Sequence, residues 1–365
     1  MHSLEESTAI PIHSVTGSQL WQPIIYSTLS MSGIKDLVSR SYELDDLLEC
    51  TFISRSVSDT YKLSTSKRRY ALKVYRTNWR TRADLIWEMS ALEQIERQGV
   101  DVVKPILRKD GSSITEVHAP EGSRSAVLFE WANGAPPKYT YAHHARQYGR
   151  LLAKLHDAGA GIPMKCFRPV MDRVYLLDDP LARIRTRLVD RPDILSKLAA
   201  LEARLSARLA EVERRSLDWG FCHGDVWINN ARFDGNRLVL FDFDFAAPGW
   251  RIFDLASYRW DARRRDVEHR AWDPFIEGYL EIRPAVEASL GFVDLFMILK
   301  HLWTTAFFIE RSPETGTNFL SDEELEEMVP ICERIGMDMG VGGDNGSGQS
   351  SDGVRSAAVE AAPAP

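Results

Sequence analysis

The chain has 365 residues, 44% of them hydrophobic and 27% charged, with a formal net charge of -7. That length suits one large domain or two lobes, and the composition is that of an ordinary globular protein. The acidic balance argues against a nucleic-acid partner, which would favour a basic face. No apolar run reaches the roughly 18–20 residues of a membrane span, and the acidic, polar start MHSLEESTAIPIHS is not a secretory signal. Cys50, Cys166, Cys222 and Cys332 are scattered and form no CxxC pair, so a reduced, cytoplasmic chain without a zinc site is expected. Cys222, beside His223, reads as a buried thiol rather than a nucleophile.

Residues 1–30 mix Ser, Thr and Pro with a few aromatics and read as an irregular arm, packed in part through Trp21 and Tyr26. Ile34 to Leu48 reads as a helix or two short ones. Cys50–Ile53, Thr60–Leu63 and Tyr70–Tyr75 alternate or run apolar between turn residues, which predicts three antiparallel strands. The third places Lys73 among apolar neighbours. Arg82 to Gln98 is a helix with Ile86, Met89, Leu92 and Ile95 at helical spacing and Gly99 as its stop. Glu88 lies beside that apolar stripe, where it can pair with a strand lysine. Val102–Leu107, Ser113–Val117 and Ala126–Trp131 predict three more strands. Ala132-Asn133-Gly134-Ala135-Pro136-Pro137 then marks a boundary between a small, strand-rich lobe and a larger helical one.

Beyond the boundary, Tyr141 to Ala158 predicts a helix, with His156 a packed or dipole-facing residue near its end. Pro163 to Pro180 reads as a loop. Leu181–Leu188, Asp193–Arg215, Phe253–Tyr258, Asp273–Glu281, Ala285–Ile309 and Glu323–Ile335 read as helices. The Gly-, Ser-, Ala- and Pro-rich residues 340–365 read as a disordered tail. The expected units are therefore an arm (1–30), a nucleotide-binding lobe (31–132), a catalytic and acceptor-binding lobe (133–339) and the tail (340–365).

Between two of those helices lies FCHGDVWINNARFDGNRLVLFDFDFAAPGWRIFDLASY, Phe221 to Tyr258. It concentrates Asp225, Asn230, Asp242 and Asp244 in a turn–strand–turn–strand pattern, and burying such groups unpaired would cost several kcal/mol. A divalent cation and a polar substrate remove that problem. With Lys73 and Glu88 the parts describe phosphoryl transfer: the lysine holds nucleotide phosphates, the glutamate holds the lysine, and an aspartate takes the acceptor's proton. Asn230, Asp242 and Asp244 are the residues to hold Mg2+.

His223-Gly224-Asp225 with Asn230 resembles the HGDxxxxN motif of the aminoglycoside phosphotransferase and choline kinase-like family. Phe241-Asp242-Phe243-Asp244 and Asp254-Leu255-Ala256 resemble its metal-binding segment and its DLA. Ala71-Leu72-Lys73, Glu88 and Leu155-His156 fall where its upstream motifs fall, so the likeness spans roughly residues 45 to 310. The resemblance implies an α+β, protein-kinase-like bilobal fold and an ATP- and Mg2+-dependent kinase. Asp225 would be the base, Asn230 and Asp242 metal ligands, and Asp244 a ligand to a second metal. Lys73 would contact phosphates with Glu88 paired to it. Phe129, Glu130, Trp131 and Ala132 would form the adenine-binding hinge, and His223 and Asp254 would orient.

The loop SRSVSDT departs from the protein-kinase pattern in having no glycine, which leaves Ser56, Ser58 and Thr60 to donate hydroxyls to phosphates. Tyr258 to Trp272 is crowded with arginines and reads as a solvated face, or as a binding surface for an acceptor's carboxylate or phosphate. The layout resembles the homoserine-kinase-like and bacterial Ser/Thr-kinase-like branches most. A small hydroxylated metabolite of amino alcohol or hydroxy amino acid type is therefore the expected acceptor, ahead of an antibiotic or a protein. A nucleotide-binding regulator without activity is disfavoured by the complete motif. Monomer and homodimer both fit.

Overall fold

The computed structural model describes residues 24–163, 168–316 and 320–337. The expected tail, Trp21 with most of the arm, and Cys166 lie outside the described residues. Strands β1 (Leu47–Arg55), β2 (Ser58–Thr65), β3 (Arg69–Tyr75), β4 (Ile114–Ala119) and β5 (Gly122–Glu130) form one antiparallel sheet, ordered β1-β2-β3-β5-β4. Strand alternation sorts its side chains onto two faces. Tyr61, Leu63, Leu72, Val74, Ala126 and Leu128 close a small core with Ile34, Val38 and Tyr42 of helix α1 (Met31–Ser41). Thr60, Ala71, Lys73 and Phe129 face the other way, into a cleft that Glu88 and Leu92 of α2 (Arg82–Arg97) also line.

Helix α2 starts at a capping box. Thr81 Oγ1 accepts from Asp84 N at 3.1 Å and Asp84 Oδ2 accepts from Thr81 N at 2.9 Å. Its buried stripe runs through Leu85, Met89, Leu92 and Ile95; Ile86, expected on that stripe, is half exposed. Helix α1 ends earlier than the expected Leu48, because residues 47 and 48 already belong to β1.

Residues 102–107 are not the expected strand. Pro105 removes a ladder donor, and the segment divides its backbone bonds between two neighbours. Val103 N donates to Leu240 O at 3.0 Å, while Lys104 O accepts from Glu130 N at 2.9 Å and Ile106 N donates to Leu128 O at 2.7 Å. This stretch therefore joins the five-stranded sheet to the second half of the chain.

That half is mostly helical: α3 (Ala142–Ala158), α4 (Asp179–Arg187), α5 (Pro192–Arg215), α6 (Ile252–Arg264), α7 (Glu268–Leu280), α8 (Val293–Thr315) and α9 (Asp322–Met337). A π-helical turn, Val174–Asp178, leads into α4 where a loop was expected. Pro180 reads as a stop, but proline is compatible with a helix's first turn. Helices α3 and α7 cross at two glycines. A Cβ on Gly149 would fall 1.9 Å from Phe275 O, and one on Gly278 2.1 Å from Arg146 O. In helix α8 the five residues Leu295 to Leu299 are apolar and fully buried in succession. The stretch Pro284–Glu314 is long and apolar enough to cross a membrane by length and composition, yet 67% of its most apolar window is buried inside the fold. That burial makes it the core helix around which α4, α6 and α9 pack.

Four short strands complete the chain: β6 (Trp219–Cys222) pairs with β9 (Ala247–Trp250), and β7 (Ala231–Asp234) with β8 (Arg237–Leu240). Two loops are left between them, His223–Asn230 and Phe241–Ala246. They run side by side: Phe241 N donates to Asn230 O at 3.1 Å, and His223 Nε2 lies 3.0 Å from Phe241 O.

Candidate active site

The paired loops bring Asp225 and Asn230 beside Asp242 and Asp244. Asn230 Nδ2 donates both to the Asp225 carbonyl at 2.9 Å and to its Oδ2 at 3.1 Å. This orientation turns Asn230 Oδ1 away, buried and without a hydrogen-bond donor among the described residues. Asp242 has φ of 67°, a left-handed conformation uncommon for a residue with a side chain. Its carboxylate meets Lys73, whose Nζ lies 2.7 Å from Asp242 Oδ1 and 2.9 Å from Asp244 Oδ2. Burial opposes the charge on Lys73, but the two aspartates outweigh it and hold the ammonium above its ordinary value. Burial pushes Asp244 up, with Lys73 opposing and Asp242 adding.

Glu88 is not hydrogen-bonded to Lys73, the partner the resemblance implies. It is bound by Arg168 Nη2. The other terminal nitrogen of Arg168 donates to the carbonyls of Phe243, Asp244 and Ala246 at 3.0, 3.3 and 2.8 Å. Arg80 Nη2 donates to Asp244 O at 2.7 Å. Two arginines thus fasten the segment carrying Asp242 and Asp244, and Arg168 couples it to α2. Burial pushes the Glu88 carboxyl up; Arg168 pulls against this without cancelling it, and Asp244 reinforces it.

The cleft beneath β3 and β5 is lined by Thr60, Ala71, Lys73, Glu88, Leu92, Val103, Phe241, Asp242, Phe243 and the expected hinge, Phe129 to Ala132. Along the hinge, Glu130 N donates to Lys104 O and Trp131 N donates to Arg69 O. Ala132 N has no hydrogen-bond acceptor among the described residues and is free to serve a ligand. Of the three hydroxyls expected at the phosphates, only Thr60 lines the cleft. Ser56 and Ser58 are held at the β1–β2 turn: Ser56 N donates to Ser58 O at 3.0 Å, Ser58 is buried, and Ser56 O accepts from Arg311 Nη2 of α8.

A buried frame holds the first loop. Asp254 accepts from His223 N at 2.7 Å through Oδ2 and from Gly224 N at 2.8 Å through Oδ1. His156 Nε2 lies 3.0 Å from Asp254 Oδ2, and His156 Nδ1 2.7 Å from Tyr279 Oη. Burial alone would raise Asp254, but its bond with His156 and the neighbouring donors bring it below the usual carboxylate value. Burial pushes His156 down despite Asp254, so a neutral ring receives the Tyr279 hydroxyl. Asp225 N donates to His223 Nδ1 at 3.3 Å, which leaves the proton on Nε2 for the Phe241 carbonyl. His223 and Asp254 therefore both bond backbone groups of the two loops. Cys222 is inert: burial raises its thiol well above the usual value.

Among the described residues no three His, Cys, Asp or Glu side chains converge as a self-sufficient metal cage. Magnesium does not need one, because it keeps waters and substrate phosphates among its ligands and takes one or two protein carboxylates. The unsatisfied buried oxygens Asn230 Oδ1 and Asp244 Oδ1 are hard donors of the type it prefers, so the residues fit such an ion.

A model of the phosphotransferase enzyme family matches residues 49–289. The chain belongs to that family. A relative from Deinococcus radiodurans is 35% identical over 303 residues, 82% of this phosphotransferase and 87% of the relative. A homoserine kinase from Methylobacterium radiotolerans is 27% identical over 283 residues, 73% of this chain and 81% of that kinase. In structure the phosphotransferase resembles an amicoumacin kinase in complex with AMP-PNP, Ca2+ and Ami, with a TM-score of 0.65 and 17% identity, over 85% of this chain and 93% of that one. It also resembles a microcompartment-associated aminopropanol kinase, with a TM-score of 0.63 and 18% identity, over 86% and 99% of the two chains. The fold is the α+β, kinase-like bilobal one, and the enzyme is a kinase that phosphorylates a hydroxyl acceptor.

Three side chains of the phosphotransferase's site escaped the reading of the sequence: Arg168, Arg80 and Lys300. Lys300 Nζ donates to Asp225 Oδ1 at 3.0 Å from the middle of α8, a helix that reads as core. Its single cation inside an apolar run was the available signal. The arginines of Tyr258–Trp272 mostly have internal partners: Arg259 bonds Glu268 and Asp294, Arg263 bonds Glu268, and Arg265 bonds Asp261. That favours the solvated, ion-paired reading of this stretch over an acceptor site.

Proposed function

We propose that the phosphotransferase moves the γ-phosphate of ATP, in the presence of Mg2+, to a hydroxyl of a small metabolite of amino alcohol or hydroxy amino acid type. The orientation of Asn230 carries this reading. Its amide nitrogen fixes Asp225 while its oxygen stays buried and without a donor among the described residues. Adenine fits the cleft under β3 and β5, with backbone groups of Glu130 and Ala132 as its partners. Lys73 would take the phosphates, and Thr60 is the hydroxyl placed to assist. Asn230, Asp242 and Asp244 would hold the metal, whose charge would offset that of the phosphates. Asp225 orients the acceptor hydroxyl and receives its proton. His223, Asp254 and His156 keep that loop in place. The division of labour follows the lobes, with nucleotide binding in 31–132 and catalysis and acceptor binding in 133–339.

The acceptor class rests on two similarities of different kinds: a sequence relative named a homoserine kinase and a structural neighbour named an aminopropanol kinase. Both names describe small molecules that carry an amine and a hydroxyl. The test is ADP release with ATP and Mg2+ across L-homoserine, 1-amino-2-propanol, choline, aminoglycosides and a generic protein substrate. Turnover with the first two, abolished by Asp225→Asn with nucleotide affinity retained, is the expected result. Normal turnover by Asp225→Asn would remove Asp225 as the base. Transfer to protein alone would replace the acceptor class.

A further inference from the structure

We infer that Lys300 is a catalytic residue, the cation that receives the phosphoryl group on the acceptor side; this rests on the kinase reading of the site. Lys300 is the only ion-pair partner of Asp225 among the described residues. Its side chain is 4% exposed, against 27% for Asp225, so the lysine is enclosed while the carboxylate is partly open to solvent. The ammonium lies 4.8 Å from the Trp303 ring and 5.6 Å from the Phe253 ring, and these faces fix a cation without neutralising it. The loop between Asp225 and Asn230, Val226-Trp227-Ile228-Asn229, carries no cation of its own. Lys73 is engaged by Asp242 and Asp244 on the nucleotide side. Any positive charge for the far side of the transferring group must therefore come from another element, and α8 supplies it.

An ammonium held against a general base serves no purpose if the pair is static, because it weakens the base it touches. The charge balance of the reaction gives it one. The bond from the acceptor oxygen to phosphorus forms, and the bond from phosphorus to the β-phosphate oxygen breaks, its electron pair leaving with ADP. The acceptor's proton passes to an Asp225 oxygen. At that moment Asp225 becomes neutral, and a phosphoester with two negative charges forms beside it. Lys300 loses one anionic partner as another arrives, so its attraction to the phosphoryl oxygens is strongest along the transfer coordinate. Interactions that strengthen there raise kcat rather than ground-state affinity.

The test uses the full-length chain with ATP and Mg2+, measuring ADP release with L-homoserine, 1-amino-2-propanol or water as the acceptor. Lys300→Gln removes the charge and keeps a neutral N–H donor on a slightly shorter side chain. Its kcat should fall roughly 10²–10³-fold, as when one donor to a developing oxyanion is removed, with affinity for a fluorescent ATP analogue held within about threefold. Lys300→Arg should recover most of the loss, and ADP with fluoroaluminate, a mimic of the transferring group, should bind Lys300→Gln far more weakly than the native chain. A folded Lys300→Gln with kcat within about threefold of native, beside an inactive Asp225→Asn, overturns the inference and leaves the base standing. No ADP release by the native chain with any of the three acceptors overturns the proposed acceptor class instead, and full turnover by Asp225→Asn removes Asp225 as the base and this inference with it.

Discussion

Replacing Arg168 with Met tests how the nucleotide side of the site is held together. Among the described residues the guanidinium bonds Glu88 and the carbonyls of Phe243, Asp244 and Ala246. Phe243 O also accepts from Ala246 N, and Asp244 O from Arg80 Nη2, so the loss concentrates on the Ala246 carbonyl and on Glu88. A buried carbonyl deprived of its donor costs about 1–3 kcal/mol, and breaking a buried ion pair about 3–5 kcal/mol. These terms overlap, so a net loss of about 4–6 kcal/mol is expected, a large share of a domain's stability. The loss should depend on pH. Burial already raises Glu88, and without Arg168 the carboxyl rises further, so the folded variant binds a proton there that the unfolded chain has released. Stability of Arg168→Met relative to native therefore falls as pH rises above about 7, where the native Glu88 ionises and the variant's does not. Urea unfolding at pH 6 and pH 8 measures both effects. A loss under about 1 kcal/mol at pH 8, or one identical at the two values, would show that Arg168 is not the group that holds Glu88 and this segment.

Gly224→Ala should abolish turnover and destabilise the fold by about 2–4 kcal/mol, measured by unfolding, since the site cannot relax without moving Asp225. Gly224 has φ of +82° and its added Cβ would fall 2.3 Å from Phe245 O and 2.5 Å from the Met171 methyl; native-like turnover would refute this. Asp254→Asn keeps the size but offers one acceptor where Asp254 Oδ1 and Oδ2 serve Gly224 N and His223 N. Circular dichroism melting should show a loss of about 2–4 kcal/mol, with kcat falling more than nucleotide affinity. Burial pushes the partly enclosed His301 down to about 4, with Arg264 and Arg334 adding. The unfolded chain takes up that proton below about pH 6.5 while the folded chain waits until about pH 4, so up to about 3 kcal/mol is lost across that window and none above it. Comparing His301→Gln with the native chain in urea at several pH values isolates the contribution, and parallel curves would refute it.

What was legible in the sequence was what is local in it. Lys73 was legible as a lysine among apolar strand neighbours, and Leu72 and Val74 on either side of it do point to the core. Asp225, Asn230, Asp242 and Asp244 were legible because two short loops carry them all. Residues 102–107 were not, since an apolar run does not reveal that Pro105 leaves its backbone to bond two different neighbours. The partner of Glu88 was not legible either. Arg168 lies 80 residues away in a stretch without periodicity.

One physical reason accounts for this asymmetry. The acids of the site, Asp225, Asp242 and Asp244, arise from adjacent loops, and Glu88 faces them from α2. Each of their counter-charges comes from a different element: Lys73 from β3, Arg168 from the chain before α4, and Lys300 from α8. Acids on one pair of loops share one local environment, so a motif records them. Cations that neutralise them must approach from different directions, because each carboxylate has a different open side, and directions exist only after the lobes have packed. The arrangement also ties chemistry to folding. Until β3, α2 and α8 are docked, the two loops would carry uncompensated negative charge in an apolar setting. A nucleotide brings more negative charge to the same place, so it can bind only where these cations are already assembled. Any mutation that loosens α8 from the loops should therefore weaken transfer before it weakens adenine binding, since Lys300 stands on the acceptor side and the hinge does not depend on it.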